Sequence, residues 1–290
     1  MKPAPFKYIA VTSLEHALAL KAEHGDDARF LAGGQSLIPA MNFRLARPAI
    51  LIDINGIEAL AGVTSNGTTR IGALTRYRAL QRDPAFSSLV PLIGEALPHI
   101  AHPQIRNRGT IGGNLSHADP ASELPAIVLA LRARFRVQSA KGEHWMEASD
   151  FFTGALTTDL RSDEMLTEID LPSQRSRTGS CFMEIARRRG DFAIVGVAAQ
   201  VTMGDRNECT DVRLAFCGVG ETPVDAGPAA GVLIGHAPTE KTLRDVAASV
   251  RKMIEPAGNV HATADYQRHI AGVLAERALQ AAHQRVRDGQ

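Results

Sequence analysis

Two glycine pairs, Gly33-Gly34 and Gly112-Gly113, constrain this chain more than any other feature. Glycine permits positive φ and lets backbone amides approach a ligand with no Cβ in the way. Successive amides then form a concave donor site for an anion. The first pair lies in Ala32-Gly33-Gly34-Gln35-Ser36-Leu37, between a predicted strand and a predicted helix. A helix N-terminus adds free N–H groups and partial positive charge, which suits a pyrophosphate. Taken alone, the same residues also make a plain tight turn. The second pair lies in Ile105-Arg106-Asn107-Arg108-Gly109-Thr110-Ile111-Gly112-Gly113-Asn114-Leu115-Ser116. Thr110, Asn114 and Ser116 add hydroxyl and amide groups able to bond phosphate or hydroxyl oxygens, and a structural Ω-loop is the alternative. Neither segment is Gly-x-Gly-x-x-Gly or a Walker A loop. Two amide-lined loops far apart in sequence predict a grip on one extended dinucleotide from two sides.

The flanking pattern supplies the scaffold. Phe6–Ala10, Arg29–Leu31 and Ile50–Ile54 read as strands. A helix between the first two starts at Thr12, with Glu15 completing a capping box, and stops at Gly25. Ser36–Leu45 reads as a second helix, giving a small βαβαβ unit. A hairpin follows, with Val63-Thr64 and Thr69–Ile71 joined by a two-residue turn at Asn66-Gly67. Helices are predicted over 76–82 and 88–97. Pro98–Pro120 has little periodicity, and a long irregular stretch in a compact domain is usually functional. Asp119-Pro120 is read as the cap and first residue of the next helix. Glu123 on that helix is placed to accept from a hydroxyl or ring N–H. Arg132–Val137 reads as a strand with a solvated basic face. A boundary is expected at Ser173–Gly179. Strands over 180–186, 193–203 and 212–218 follow, then helices over 240–254 and 264–286, the latter with Ile270, Leu274, Ala278 and Ala281 on one face.

Composition excludes several classes. The 290 residues carry a net charge of +1 and only 5% aromatic residues, which disfavours nucleic acid as a partner. No signal peptide or membrane-spanning run is read, so the expected location is cytoplasmic, without membrane insertion. Cys181, Cys209 and Cys217 match no metal or cluster spacing and read as core residues. His99, His102 and His117 cluster in the middle loop, where bonds to backbone or cofactor are expected over metal binding. Arg187-Arg188-Arg189-Gly190-Asp191-Phe192 reads either as a solvated turn or as a segment set against a cofactor ring or partner.

Together these segments resemble the FAD-binding medium subunit of the molybdenum hydroxylases, the carbon monoxide and xanthine dehydrogenase group. The resemblance spans nearly the whole chain. Ala32–Leu37 is similar to the family's first FAD loop, and Thr110–Asn114 to its second. Ala118–Pro125, Arg188–Ala193, Gly218–Pro223 and the Tyr266-Gln267-Arg268 helix continue the likeness. Glu123 stands where many members have Asp. Met183 or Glu184 stands where some have a lysine near the flavin.

The implied fold is α+β: a two-subdomain FAD-binding domain of the PCMH/VAO-like type over 1–175 (parts 1–57 and 58–175), then a smaller C-terminal α+β domain over 176–290. The implied cofactor-binding set is Ala32, Gly33, Gly34, Gln35, Ser36 and Leu37 on the first loop and His102, Ile105, Thr110, Gly112, Gly113, Asn114 and Ser116 on the second. Glu123, Leu166, Asp191 and Phe192 complete it. No residue is assigned to catalysis or metal binding. The implied role is an FAD-dependent oxidoreductase subunit that passes electrons from [2Fe–2S] clusters to an external acceptor. An iron–sulfur small subunit and a molybdopterin large subunit are the expected partners, in a dimer of heterotrimers. The alternatives are a free-standing FAD-dependent reductase or oxidase on the same fold, and a non-enzymatic nucleotide-binding module.

Overall fold

A computed structural model describes residues 2–289. The chain opens with β1 (Lys7–Ala10), α1 (Leu14–His24), β2 (Ala28–Leu31), α2 (Leu37–Asn42) and β3 (Ile50–Asp53). The strands form a parallel sheet in the order β1-β3-β2, with Lys7 and Ala28 both opposite Ile50. Ala17 and Leu18 of α1 bury against Ala28 and Ile52. The α1 cap is Ser13, whose hydroxyl accepts from the His16 amide at 3.2 Å, so the capping box expected at Thr12 and Glu15 does not form. Gly25, at φ +48°, ends the helix as expected. Helix α2 stops short of Leu45 because Arg44 turns into the left-handed region at φ +59°.

The second unit is built on a five-stranded antiparallel sheet. Its first strands are β4 (Val63–Asn66) and β5 (Thr68–Gly72). Asn66 faces Thr68 across Gly67, so the register is one residue off a two-residue turn. Helices α3 (Tyr77–Arg82), α4 (Pro84–Leu89), α5 (Pro91–Ala96), α6 (Pro103–Arg106), α7 (Ile111–His117) and α8 (Glu123–Ala130) follow. The single helix expected over 88–97 is broken: Val90 caps a new helix and Pro91 is its first residue, where a missing N–H is harmless. The aperiodic stretch contains two short helices, and the second glycine pair sits in the first turn of α7. Helix α8 is capped by Ser122 rather than Asp119, whose carboxylate instead accepts from the Ala121 amide at 2.9 Å.

After α8 come β6 (Arg134–Ser139), β7 (Gly142–Glu147), α9 (Ala148–Phe151), the small hairpin β8 (Phe152–Gly154) and β9 (Thr157–Thr158), and β10 (Met165–Pro172). The sheet order is β4-β5-β10-β6-β7, so β10 is its centre. Sequence pattern did not reveal β7 or β10. Strand β10 buries both faces, and its alternation is blurred by Thr167 and Asp170 in the interior. Asp170 is retained there by Thr68 at 2.6 Å and Arg134 at 2.7 Å, each from a neighbouring strand. A buried carboxylate needs such partners.

The third unit pairs β11 (Thr178–Ala186), β12 (Ala193–Met203), β13 (Cys209–Cys217) and β14 (Val224–Asp225) in an antiparallel sheet. Helices α10 (Gly227–Ala230), α11 (Glu240–Met253) and α12 (Ala264–Arg287) complete it. Every residue of β12 is buried because the sheet is covered twice. Val195, Val197 and Val201 face Leu274 and Ala278 of α12, while Ala198 and Ala215 join the core around α8. The cysteines are buried and unpaired, as core residues should be. Glu95 of α5 ties the units together. It accepts both guanidinium nitrogens of Arg285 at 2.7 and 2.8 Å, and the Phe182 amide at 2.9 Å. Among the described residues no helix is long and apolar enough to cross a membrane.

Candidate functional site

The first glycine loop runs from the end of β2 into α2. Among the described residues, the amides of Gly33, Gly34, Gln35 and Ser36 donate no hydrogen bond within the chain. Four successive free donors in a turn are an anion-binding concavity. Gly34 holds φ +72°, and its carbonyl accepts from Ile38 at 3.1 Å to start the helix. The Gln35 side chain is pinned to the Gly33 carbonyl at 2.8 Å. The loop opens onto a cleft of about 350 Å³ bounded by Ala32–Gln35, Ile38, Pro39, Asp53, Asn55 and Arg108.

The second loop is built differently. Its amides are already used: Ile111 donates to Thr75 O at 3.1 Å, Gly112 to Ala73 O at 2.9 Å and Gly113 to Thr110 Oγ1 at 3.2 Å. The expected second amide nest is therefore not present. Thr110 serves as the N-cap of α7 and is 2% exposed. Gly112 is a packing glycine, since a Cβ there would overlap the Ala73 side chain and lie 2.8 Å from the Ala73 Cα. Gly113 faces outward, and Ser116 is exposed with no side-chain partner among the described residues. Asn114 is turned inward, its amide donating to Ser122 Oγ at 2.7 Å.

The two loops touch. A Cβ on Gly33 would lie 2.5 Å from the Arg108 carbonyl oxygen and 2.9 Å from the Gly109 Cα. One on Gly113 would lie 3.7 Å from the Ala32 Cβ. Arg76 clamps this junction, bonding both Arg108 O and Asn55 Oδ1. Asn55 in turn donates to Ala32 O at 2.9 Å and to Asp53 Oδ1 at 2.6 Å, and Tyr8 donates to Asp53 Oδ2. Burial works against the Asp53 charge, yet Tyr8, Asn55 and Arg76 together hold its carboxyl below the usual range. Sequence reading missed Asp53, Asn55, Arg76 and Arg108. A signal for the first was available: Asp53 ends a parallel strand, and ligands in open parallel sheets gather at the carboxyl ends of strands.

The remaining expected residues fall in two places. Glu123 and Leu166 are buried behind the second loop, at 3% and 4% exposure. Leu166 shares a core cluster with Ile111 and Leu115. His102, Asp191 and Phe192 lie on a rim where the third unit meets the second. A Cβ on Gly190 would lie 2.8 Å from His102 Nδ1, so the turn after β11 rests on that histidine. Phe192 is 60% exposed. Ile105 holds the bend into the second loop, its carbonyl accepting from Gly109 at 2.7 Å. Ser36 and Leu37 begin α2 at the edge of the cleft. Among the described residues no group of acidic, cysteine and histidine side chains is arranged to hold a metal.

Comparison with known proteins gives a consistent result over the whole length. Residues 4–174 match the model of the FAD binding domain in molybdopterin dehydrogenase, and residues 180–282 that of the CO dehydrogenase flavoprotein C-terminal domain. Caffeine dehydrogenase subunit beta of Pseudomonas sp. (strain CBB1) is 42% identical, over 99% of this chain and 97% of its own. The 6-hydroxypseudooxynicotine dehydrogenase complex subunit alpha of Paenarthrobacter nicotinovorans is 39% identical over the same shares. A chain of carbon monoxide dehydrogenase from Hydrogenophaga pseudoflava superposes with a TM-score of 0.95 at 37% identity, covering 98% of this chain and 99% of that one.

Proposed function

The chain belongs to the family of FAD-binding medium subunits of the molybdopterin dehydrogenases, and from that membership we propose that it is the electron-transfer subunit of a multi-subunit enzyme. It is an FAD-binding oxidoreductase subunit. The finer reading is that electrons arrive from [2Fe–2S] clusters of a small subunit, after a molybdopterin-bearing large subunit has oxidised the substrate, and leave to an external acceptor. A cytoplasmic dimer of such heterotrimers is the proposed assembly. The names of relatives as medium chains or lettered subunits support a shared complex. We propose that the FAD domain ends, and the C-terminal domain begins, in the segment between Pro172 and Thr178.

One observation carries the assignment of the site: the amides of Gly33–Ser36 are unspent beside a cleft lined by Gly33, Gly34 and Gln35, with Arg108 of the second loop on its wall. These amides would hold the pyrophosphate, as backbone donors commonly do. Ala32 and Leu37 flank them. Gly113 offers a flat surface for close approach, with Ser116 supplying a hydroxyl. His102, Ile105, Asp191 and Phe192 would border the ring, with Leu166 and Glu123 behind it. Thr110, Gly112 and Asn114 would act by shaping the loop. FAD, when bound, links two-electron and one-electron chemistry, and the protein's part is to position it and tune its surroundings.

The test is acid release of flavin from the purified full chain, which should yield FAD at one per chain. Colourless protein that takes up no added FAD overturns the site. Mass spectrometry of the native complex should identify subunits carrying iron–sulfur and molybdenum centres. A chain isolated alone, with full turnover of its own substrate, contradicts the partnership.

A further inference from the structure

A second cavity lies where the second unit meets the third, away from the glycine loops. It measures about 30 Å³, enough for a water-sized group. Val90, Leu92, Leu131 and Leu171 form its apolar wall, and the segment Ser173–Arg175 borders it. The other wall is the inner face of the third sheet, whose character changes along β12. Ala198 joins the core around α8, while Gln200 and Thr202, next on that face, are polar and only 6% and 7% exposed. Their cross-strand neighbours are polar as well. Gln200 stands opposite Arg213, and Thr202 opposite Thr178 and Asp211. Buried polar groups cost free energy unless they are hydrogen-bonded. Gln200 nevertheless lines the cavity with an amide that makes no hydrogen bond among the described residues. The Thr178 and Thr202 hydroxyls are 2.8 Å apart, so one donates to the other and the second proton is unspent. Arg213 gives Nε to Asp211 at 3.0 Å and one terminal nitrogen to the Leu131 carbonyl at 3.3 Å, which leaves its other terminal nitrogen without a partner.

We propose that this cavity is a binding site for a small inorganic anion of chloride size, held by Gln200, Arg213 and the threonine pair, with Arg175 on its rim. The unspent groups can all donate: an amide NH2, a guanidinium N–H and a hydroxyl proton. The charge balance agrees. Asp211 accepts from Arg213 and also faces Arg132 at 3.6 Å. Arg175 borders the cavity and makes no ion pair among the described residues. Three guanidiniums thus stand around one carboxylate, and a monovalent anion reduces that imbalance. Burial lowers the Arg213 guanidinium, Asp211 opposes, and Arg132 and Arg175 add to the lowering. A tetrahedral oxyanion such as phosphate needs more room than a water-sized group. The donors come from β11, β12, β13 and the segment between β10 and β11. A bound anion would therefore fix that segment against the third sheet. The proposal is independent of what fills the cleft beside the first glycine loop.

Two measurements on the full chain test this. Crystals grown in bromide should show an anomalous scattering peak between Gln200 and Arg213. In solution, chloride replacing gluconate at fixed ionic strength should raise the thermal unfolding midpoint, as any ligand of the folded state does. Gln200→Met, which keeps the volume and removes the donor, should weaken the chloride dissociation constant drawn from that response by about tenfold. Arg175→Gln alters only an exposed side chain, so it serves even if Gln200→Met does not fold, and it should weaken the constant by about threefold. Arg206→Gln, on a side chain 92% exposed in the turn before β13, should respond like wild type. No bromide peak in the cavity, or an equal chloride response in Gln200→Met, Arg175→Gln and wild type, overturns the proposal. A peak without a solution response is binding at crystal concentration only and overturns it as well. A response to inorganic phosphate that depends on Gln200, with none to chloride, contradicts the assigned anion size.

Discussion

The two glycine loops share a sequence pattern and differ in what the glycines do. At Gly33–Ser36 the amides are unspent beside a cleft. At Ile111–Gly113 they are satisfied by the β5–α3 turn and by Thr110. The first loop is a donor array. The second is a helix start pressed into the sheet, which carries Arg108 and Gly109 up against the first. The comparison teaches that a glycine pair reports a need for close approach without naming what approaches. At Gly112 the neighbour is Ala73, at Gly33 it is Arg108, and at Gly113 it is the Thr110 hydroxyl that caps the same helix.

The contrast predicts a graded series. Gly112→Val should be the most severe. Its side chain would enter the space of Ala73 beneath a buried helix, and overpacking at a backbone contact should cost about 3 kcal/mol or more. Chemical denaturation would measure it, and a stability near wild type would contradict the packing role. Glu123→Gln comes next and acts through pH. The folded pKa of Glu123, about 7, exceeds its usual 4.5. The folded state therefore holds an extra proton between those values. Its stability is full below the lower value and is lost as pH rises through the upper one. The variant lacks that loss, so at pH 8 it should exceed wild type by on the order of 2–3 kcal/mol and match it near pH 4.5. A gap that ignores pH would contradict the buried carboxyl.

Gly33→Val should also cost stability, because its Cβ would lie 2.5 Å from the Arg108 carbonyl oxygen at the buried junction of the two loops. It should push the loops apart and weaken FAD binding by about 100-fold or more, a loss of about 3 kcal/mol. Calorimetric titration would show it, and unchanged affinity would remove the loop junction from the site. Thr110→Ala should be the mildest, costing about 1 kcal/mol as a lost helix cap. Since Thr110 is buried as a cap, its effect on FAD affinity should be smaller than that of Gly33→Val.

Much of this was legible in the sequence. The parallel unit, the long strands after Thr178 and both C-terminal helices follow from local pattern and turn chemistry. The illegible parts have physical causes. Strand β10 is buried on both faces and carries Asp170 inside, so neither alternation nor composition marks it. The second loop reads as irregular because α6 and α7 are too short for a 3.6-residue period to show. The Arg76–Asn55–Asp53 clamp joins two separate segments, and only the fold brings them together. The pairing of His99 with Glu184 likewise joins residues remote in sequence.

The central claim is that two loops make one grip on an extended dinucleotide, with the first supplying the phosphate donors. Parallel titration of the full chain with FAD and with FMN, which lacks the pyrophosphate bridge and the adenylate half, tests it most directly. The account predicts one FAD per chain, FMN bound at least about 100-fold more weakly, and loss of most of that preference in Gly33→Val. Equal affinity for FAD and FMN, or a preference that survives in Gly33→Val, would contradict it.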